Sequence, residues 1–186
     1  MTEVSSLTGR LLVATPALAD PNFDRAVVLL LDHDEEGSLG VVLNRPTPVG
    51  VGDILGSWAG LTGEPDVVFQ GGPVSLDSAL GVAVIPGDEG PLGWRRVHGA
   101  IGLVDLDTPP ELLGPALGSL RIFAGYAGWG PGQLEGELGE GAWYVVESEP
   151  GDVSSPRPEN LWRAVLRRQR SELAMIATYP DDPSLN

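Results

Sequence analysis

Residues 26–43 read AVVLLLDHDEEGSLGVVL, and they form the longest apolar pattern with a turn at its centre. Two apolar runs, Ala26–Leu31 and Leu39–Leu43, flank an acidic segment that ends at Gly37. Branched apolar residues on both sides of a turn that contains glycine predict a β-hairpin. Because both runs are continuously apolar rather than alternating, we expect both faces of the hairpin to be buried. The hairpin is therefore expected at the centre of a sheet.

The chain on either side of the hairpin predicts further short strands and few helices. Apolar runs predict strands at 10–14, 67–69, 79–85, 94–97, 101–104, 120–124 and 142–147. Short helices are expected at 53–58 and 109–113, and the clearest helix at Pro158–Arg170, where apolar residues recur on one side. We expect an α/β (α+β) fold in a single domain over 1–186. Its elements are a twisted, largely mixed β-sheet, short helices and a C-terminal arginine-rich helix.

Composition excludes several classes of protein. The chain has 186 residues, 26 acids against 11 bases and a net charge of −15. It has no cysteine, which excludes disulfides, thiolate zinc sites and cysteine nucleophiles. The longest uninterrupted apolar run is Ala26–Leu31, whereas a bilayer span needs about 20 residues. We expect a cytoplasmic protein with no membrane association.

Three motifs in order resemble the YqgE/AlgH family of bacterial proteins. They are GRLLVATPALADPNFDRAVVLLLDHDEEGSLGVVLNRP at 9–46, FQGGPV at 69–74, and GYAGWGPGQLEGEL at 125–138 followed by AWY. The resemblance implies a compact α/β fold around a twisted, mixed sheet. Members are described mostly as uncharacterised and sometimes as transcriptional regulators, so it implies no catalytic residues. One departure is that Ser78–Val82 lacks the histidine that many members carry after the GGPV stretch.

The stretch GWGPGQLEGEL at 128–138 is the first candidate ligand site, through Trp129, Gly130 and Gln133. Glycine-rich helix starts often bind anions with exposed N–H groups. The alternative is a structural corner in which Trp129 is buried and Pro131 takes a first helical position. Glutamates in the first turns would repel an anion, so the corner is the favoured interpretation.

A second candidate ligand site lies at the ends of two predicted strands. Asn44 and Arg45 follow one strand, and Gln70, Gly71 and Gly72 follow another. Amide, guanidinium and backbone groups at strand ends are typical of a small-molecule cleft. They are equally typical of turns, in which Asn44 caps the backbone and Arg45 pairs with an acid.

His33 stands among four acids, at positions 32 and 34–36. A histidine with carboxylates can bind a metal or act as a general base. These acids are consecutive rather than spaced as metal ligands, so we expect His33 to be exposed at a solvated tip. We expect neither a metal nor a cofactor.

The predicted C-terminal helix carries Arg163, Arg167 and Arg170 on one side, as a candidate partner surface. Residues 157–170 hold five arginines and one glutamate, a net +4 within a total of −15, so the rest carries −19. The simplest interpretation is a solvated stripe that pairs with the chain's own acids. The alternative is a surface for an acidic protein partner, because the −19 opposes binding to DNA.

Three functional classes remain open. A non-enzymatic regulatory or adaptor protein that acts through protein partners is favoured, because the sequence contains no catalytic constellation and no G-x-S-x-G motif. A transcriptional regulator that contacts DNA directly is the second. The third is an enzyme or small-ligand binder with a cleft near Asn44, Arg45, Gly71 and Gly72, since catalytic groups can converge from distant positions.

Overall fold

The computed structural model describes residues 6–18, 20–21, 23–87, 90–169 and 172–178. Its strands, numbered β1 to β10 in chain order, are Leu11–Ala14, Val27–Asp34, Gly37–Val42, Pro46–Gly50, Val67–Gln70, Val74–Val84, Trp94–His98, Ile101–Val104, Ser119–Trp129 and Trp143–Val146. Its helices, numbered α1 to α6, are Val51–Ile54, Pro110–Leu113, Gln133–Gly139, Pro150–Val153, Leu161–Arg167 and Leu173–Ile176. Short 3-10 turns occupy Gly56–Trp58, Gly114–Ala116 and Pro158–Asn160.

All ten strands belong to one curled sheet. Eight of them follow the order β10-β1-β2-β3-β9-β6-β8-β7, while β4 pairs with β5 and β5 pairs with β9. The β5–β9 pairing is parallel, and the other pairings are antiparallel. The predicted α+β class with a mixed sheet and short helices is therefore confirmed.

The hairpin at 26–43 lies inside the sheet, as predicted. Strand β2 pairs with β1 on one side and β3 on the other. Alternate residues of β2 point to opposite faces, so that Val27 and Leu29 join one apolar core while Val28 and Leu30 join another. All four side chains are fully buried. Burial on both faces explains why residues 27–31 of this strand show no polar alternation.

The C-terminal helix is shorter than the predicted Pro158–Arg170. A 3-10 turn at Pro158–Asn160 precedes α5, which ends at Arg167, and Arg170 lies outside the described residues. The apolar side of α5 is buried against the sheet, as its spacing predicts; its members are Leu161, Trp162, Val165 and Leu166. The Trp162 indole N–H donates to the carbonyl oxygen of Ala14 at 2.8 Å, which fixes the helix to β1.

Arg168, directly after α5, joins this helix to α4. Its guanidinium donates to both carboxylate oxygens of Asp152, at 2.6 and 2.8 Å, and lies 2.7 Å from Glu149. Asp152 is only 3% exposed. The hydrogen bonds to Asp152 raise the pKa of Arg168 above its usual value, although burial opposes them. A two-pronged pair of this kind fixes direction as well as distance.

Candidate functional site

The two strand ends that the sequence singles out lie side by side. The Gln70 N–H donates to the carbonyl oxygen of Arg45 at 2.8 Å, and the Val42 N–H donates to that of Gly71 at 2.8 Å. A cavity of about 100 Å³ opens here, and it is lined by Pro21, Val42, Arg45, Gln70, Gly72 and Pro73. The backbone pairing of β5 with its neighbours therefore brings Arg45, Gln70 and Gly72 to one small hollow.

A larger cavity of about 420 Å³ adjoins the first, because Pro21 and Arg45 line both. Its lining consists of Pro21, Asp24, Arg25, Asn44, Arg45, Glu159, Trp162 and Arg163. We call the two cavities together the arginine groove. A volume of this size is within the range of small-ligand pockets, about 300–1,000 Å³.

Asn44 is almost buried, and its side chain shapes one wall of the groove. Its amide oxygen accepts from the Val27 N–H at 3.0 Å, and its amide N–H donates to the carbonyl oxygen of Arg25 at 2.9 Å. Arg25 has a left-handed backbone with φ of 55°, which a residue with a side chain seldom adopts. Asn44 therefore holds an unfavourable backbone at Arg25, a kind of strain that clusters at functional sites.

The floor of the groove is the indole of Trp162. The Arg25 guanidinium carbon lies 4.4 Å from the Trp162 ring centroid, and that of Arg163 lies 5.6 Å from it. Trp162 itself is 3% exposed. A cation above an aromatic ring is attracted by the negative face of that ring. The buried indole therefore places two positive side chains at the wall of one cavity.

Arg45 separates the two cavities and is half-buried. Its guanidinium donates to the carbonyl oxygens of Asp24 and, at 3.4 Å, Asn44. Burial lowers the pKa of Arg45 below its usual value, while the negative charge of Asp24 acts in the opposite direction. Neutral carbonyl oxygens thus accept two hydrogen bonds from Arg45, while the Asp24 carboxylate offsets part of its charge.

The glycine corner, residues 128–138, is a feature separate from the groove and is held by side-chain hydrogen bonds. The Gly130 N–H donates to the Gln133 side-chain oxygen at 3.0 Å, and the Gln133 amide donates to Glu137 at 3.1 Å. Glu137 also accepts from the indoles of Trp129 at 3.0 Å and Trp143 at 2.9 Å. The Gly130 N–H, one of the donors that an anion would need, is therefore already occupied, and Gln133 lines neither cavity of the groove.

One detail of the corner agrees with the sequence prediction, and another differs from it. Trp129 is 6% exposed and packs near Phe23 and Trp143, so its predicted burial is confirmed. Pro131 does not occupy the first helical position, because Gly132 intervenes before α3 with a left-handed φ of 73°. The glycine turns the chain into the helix, and the proline precedes that turn.

The predicted exposure of His33 is wrong. His33 is 4% exposed because β2 continues to Asp34 and the turn is reduced to residues 35 and 36. Its Nδ1 lies 2.6 Å from Ser38 Oγ, and its Nε2 lies 4.0 Å from Glu135. Within the described residues, no cluster of three or more His, Cys, Asp or Glu side chains could hold a metal ion.

The row Ser38–His33–Glu135 has the residue types of a hydrolase triad. The cavity beside Ser38 is lined by Asp32, Asp34 and Glu36 as well as by apolar residues. Acyl transfer develops negative charge at an oxyanion, which catalytic sites stabilise with N–H donors or cations. Carboxylates here would oppose that charge, so we assign the row a structural role that fixes the hairpin end against α3.

The candidate partner surface meets the candidate ligand site at Arg163. Arg163 lines the larger cavity together with Asn44 and Arg45, and its guanidinium also donates to the carbonyl oxygen of Ala177. Arg167 is exposed, one turn further along α5. Residues from two predicted sites on distant parts of the sequence therefore line one cavity. The third arginine, Arg170, is outside the described residues.

Gly71 and Gly72 have a packing role beside β9. A Cβ at Gly71 would lie 2.4 Å from the carbonyl oxygen of Gly125, and one at Gly72 would lie 2.2 Å from the Tyr126 backbone. Only glycine fits this close approach of two backbones. Their contribution to the groove is the path of the backbone, since only Gly72 lines a cavity.

Sequence reasoning missed the charged and aromatic residues that line the larger cavity beside Asn44, Arg45 and Arg163, namely Asp24, Arg25, Glu159 and Trp162. A turn cluster precedes the first two, but the left-handed backbone that orients Arg25 leaves no pattern in the sequence. Trp162 reads as an ordinary core residue because its spacing is that of a buried helix side. The one available signal was that Arg25 and Asn44 directly flank the predicted hairpin at 26–43, so an antiparallel pairing of its strands brings them together.

Within the described residues, no helix is long and apolar enough to cross a membrane. A family model described as AlgH-like (DUF179) matches residues 11–174. A UPF0301 protein of Streptomyces avermitilis is 87% identical over 190 aligned positions, covering 100% of this chain and 98% of that protein. A UPF0301 protein of Thermobifida fusca is 50% identical, with coverage of 97% and 96%.

Two solved structures are similar to this chain over nearly its whole length, as the sequence relatives are. The crystal structure of a Corynebacterium diphtheriae protein has a TM-score of 0.89 at 31% identity and covers 96% of this chain and 95% of its own. The solution structure of the AlgH protein from Pseudomonas aeruginosa has a TM-score of 0.68 at 27% identity, with coverage of 97% and 98%. The fold, the motifs and these matches agree, and the chain belongs to the AlgH-like family.

Proposed function

We propose that this chain is a non-enzymatic regulatory or adaptor protein whose arginine groove binds an acidic segment of a partner protein. The observation that carries the proposal is the convergence of Arg25, Arg45 and Arg163 on one cavity. The chain as a whole has a net charge of −15, so three arginines at one cavity stand against the overall charge of the protein. A local positive patch attracts negative ligands and also selects their orientation.

A protein partner fits this surface better than DNA does. The groove is concave and small, and Asp24 and Glu159 stand in its wall beside the arginines. A duplex cannot enter a cavity of about 420 Å³, so its phosphate backbone would lie against the acidic surface around the cavity. A single Asp or Glu side chain can enter the cavity and receive charge-assisted hydrogen bonds from guanidinium groups.

The test compares proteins that co-purify with tagged wild type and with two charge-matched double variants. Arg45→Glu with Arg167→Glu changes the groove and the adjoining helix. Arg10→Glu with Arg95→Glu makes the same change in net charge elsewhere. We expect the groove variant to lose specific partners that the control retains, and acidic peptides of those partners to bind purified wild type.

Loss of the same proteins from both double variants would point to long-range charge rather than to the groove. Retention of every partner by the groove variant would contradict the proposal. Circular dichroism of each variant establishes that its fold is intact before capture is compared.

A further inference from the structure

The chain that follows α6 starts at the wall of the larger cavity. Ala177 is 3% exposed and Thr178, the last described residue, is exposed. The Arg163 guanidinium, which lines this cavity, donates to the carbonyl oxygen of Ala177. Residues 179–186 lie outside the described residues, and by connectivity they begin beside the cavity.

The sequence of this last segment, YPDDPSLN, carries charge of one sign. Asp181 and Asp182 are its acidic side chains, and it contains no arginine, lysine or histidine. Asp181 is four residues beyond Ala177, and four residues of backbone span up to about 13 Å. This length is enough to bring a carboxylate into a cavity of about 420 Å³. A proline on each side of the acidic pair restricts its backbone, which reduces the conformational entropy lost on binding.

Arg45 has donors left for a carboxylate in this cavity. A guanidinium carries five N–H groups. Within the part of the chain that the structure describes, Arg45 donates from two of its nitrogens to the carbonyl oxygens of Asp24 and Asn44. Its remaining N–H groups can form charge-assisted hydrogen bonds with a carboxylate. The half-buried position of Arg45 makes such bonds stronger than they are in water.

We propose that Asp181 and Asp182 occupy the larger cavity of their own chain and bind Arg45, in place of the acidic segment of the partner. The contact is autoinhibitory, because a partner enters the groove only while this segment is displaced. A short tethered segment has an effective concentration in about the millimolar range, so weak acidic ligands do not displace it while tight partners do. This regulatory meaning rests on the proposed function.

Nuclear magnetic resonance of the isotope-labelled full chain tests the contact, with the indole N–H signal of Trp162 in the cavity lining as the reporter. We expect this signal to differ between wild type and the double variant Asp181→Asn with Asp182→Asn. The difference should vanish in about 1 M salt, which screens exposed charges. Asp77→Asn with Glu111→Gln makes the same change in net charge at two exposed positions, and its signal should match wild type.

The arginine that receives the segment is tested in two further backgrounds. In Arg45→Met, changing both aspartates should leave the Trp162 signal in place, because the contact is already lost. In Arg95→Met, at an exposed position on β7, the same change should move the signal as it does in wild type. Both backgrounds lose one positive charge, so the comparison separates the contact from long-range charge.

An added peptide measures how strongly the segment closes the groove. A synthetic peptide of sequence YPDDPSLN should bind the Asp181→Asn with Asp182→Asn variant about fivefold or more tightly than wild type, because the wild-type cavity is open for only a fraction of the time. Equal affinity of the two proteins, or the same Trp162 signal in both, would overturn the inference. A signal difference that grows with protein concentration would overturn it too, since the segment would then enter the groove of a second copy.

These measurements use the purified chain alone, so the internal contact and the proposed function fail separately. If the aspartate variant moves the Trp162 signal and no groove-dependent partner is captured, the proposed function fails while the contact stands. If partners are captured through the groove and the signal is the same in both proteins, the contact fails while the proposed function stands.

Discussion

At the level of single residues, the Glu137 carboxylate joins the parts of the glycine corner. One of its oxygens accepts hydrogen bonds from the indoles of Trp129 and Trp143. Both rings are at most 6% exposed, so water has little access to their N–H groups. The Glu137 carboxylate, which would repel an anion from the corner, therefore has a structural role as the acceptor of both indole hydrogen bonds.

We predict that Glu137→Ala lowers the free energy of unfolding by about 2–4 kcal/mol, since it leaves two buried donors without their acceptor. Urea denaturation followed by circular dichroism measures the change. Glu140→Ala, at an exposed position at the end of the same helix, should stay within about 0.5 kcal/mol of wild type. Equal stability of the two variants would show that the indole bonds contribute nothing.

Arg121 is a buried charge outside the groove. It is 2% exposed, donates to the carbonyl oxygen of Glu64 at 3.1 Å and lies 4.3 Å above the Phe69 ring. Its Nη1 has no hydrogen-bond partner in the part of the chain that the structure describes. Burial lowers the pKa of Arg121 to about 10. The folded state therefore disfavours its charged form.

This lowered pKa predicts a pH dependence of stability. A base whose pKa is lower in the folded than in the unfolded state binds fewer protons when folded, so stability rises as pH rises through the folded pKa. Arg121→Met has no such group. We predict that wild type gains stability relative to Arg121→Met between about pH 8 and about pH 10.5, measured by urea denaturation. A constant difference across this range would contradict the assignment.

At the level of elements, the sequence correctly predicts the strands and helix sides whose apolar residues are all buried. The hairpin at 26–43 and the apolar side of α5 are confirmed because their patterns depend only on which side chains leave water. Strand β4, at Pro46–Gly50, was missed because it holds two prolines. Within sheets, proline is found mainly in edge strands, so the pattern does not read as a strand. The helix predicted at 53–58 divides into α1 and a 3-10 turn, with Leu55 between them in a non-helical backbone conformation.

The contact between α5 and α4 gives a prediction at this scale. Arg168→Met would leave the buried carboxylate of Asp152 without its charged partner. We predict a loss of about 2–3 kcal/mol in the free energy of unfolding, because a buried carboxylate loses its charged partner. The loss is smaller than for a fully buried pair because the guanidinium itself is partly exposed. Arg167→Met, the exposed neighbour on the same helix, should change stability by less than about 0.5 kcal/mol. Chemical denaturation of both variants measures these changes. Similar losses in both would show that the destabilisation comes from changes in the helix and not from loss of the Arg168–Asp152 pair.

At the level of the whole molecule, the groove depends on contacts that no local pattern encodes. Asn44, Arg45 and Arg163 were singled out separately, and their convergence follows from the docking of α5 beside the end of β3. Arg25 was missed because its orientation depends on a backbone angle that Asn44 holds. Gln133 was singled out in the other candidate ligand site, and the structure gives it hydrogen-bond partners inside the glycine corner.

The total charge gives a prediction about DNA. We predict no binding of duplex DNA tighter than about micromolar at physiological salt, because the acidic surface opposes the few arginines. Fluorescence anisotropy with labelled duplex across a salt series measures this. Tight binding with a log–log salt slope near about −2.7, the value for three phosphate contacts, would contradict it. The contradiction would be complete if that binding vanished in an Arg163→Ala, Arg167→Ala and Arg170→Ala triple variant.

The central claim is that acidic ligands bind the arginine groove and not the glycine corner. The five tryptophans each give one indole N–H signal in a nuclear magnetic resonance spectrum of isotope-labelled protein, and Trp162 alone lines the groove, while Trp129 and Trp143 belong to the corner. We predict that titration with a glutamate-rich peptide shifts the Trp162 signal in a saturable manner and leaves the other two in place. Shifts confined to Trp129 and Trp143, or no shift at all, would contradict the claim.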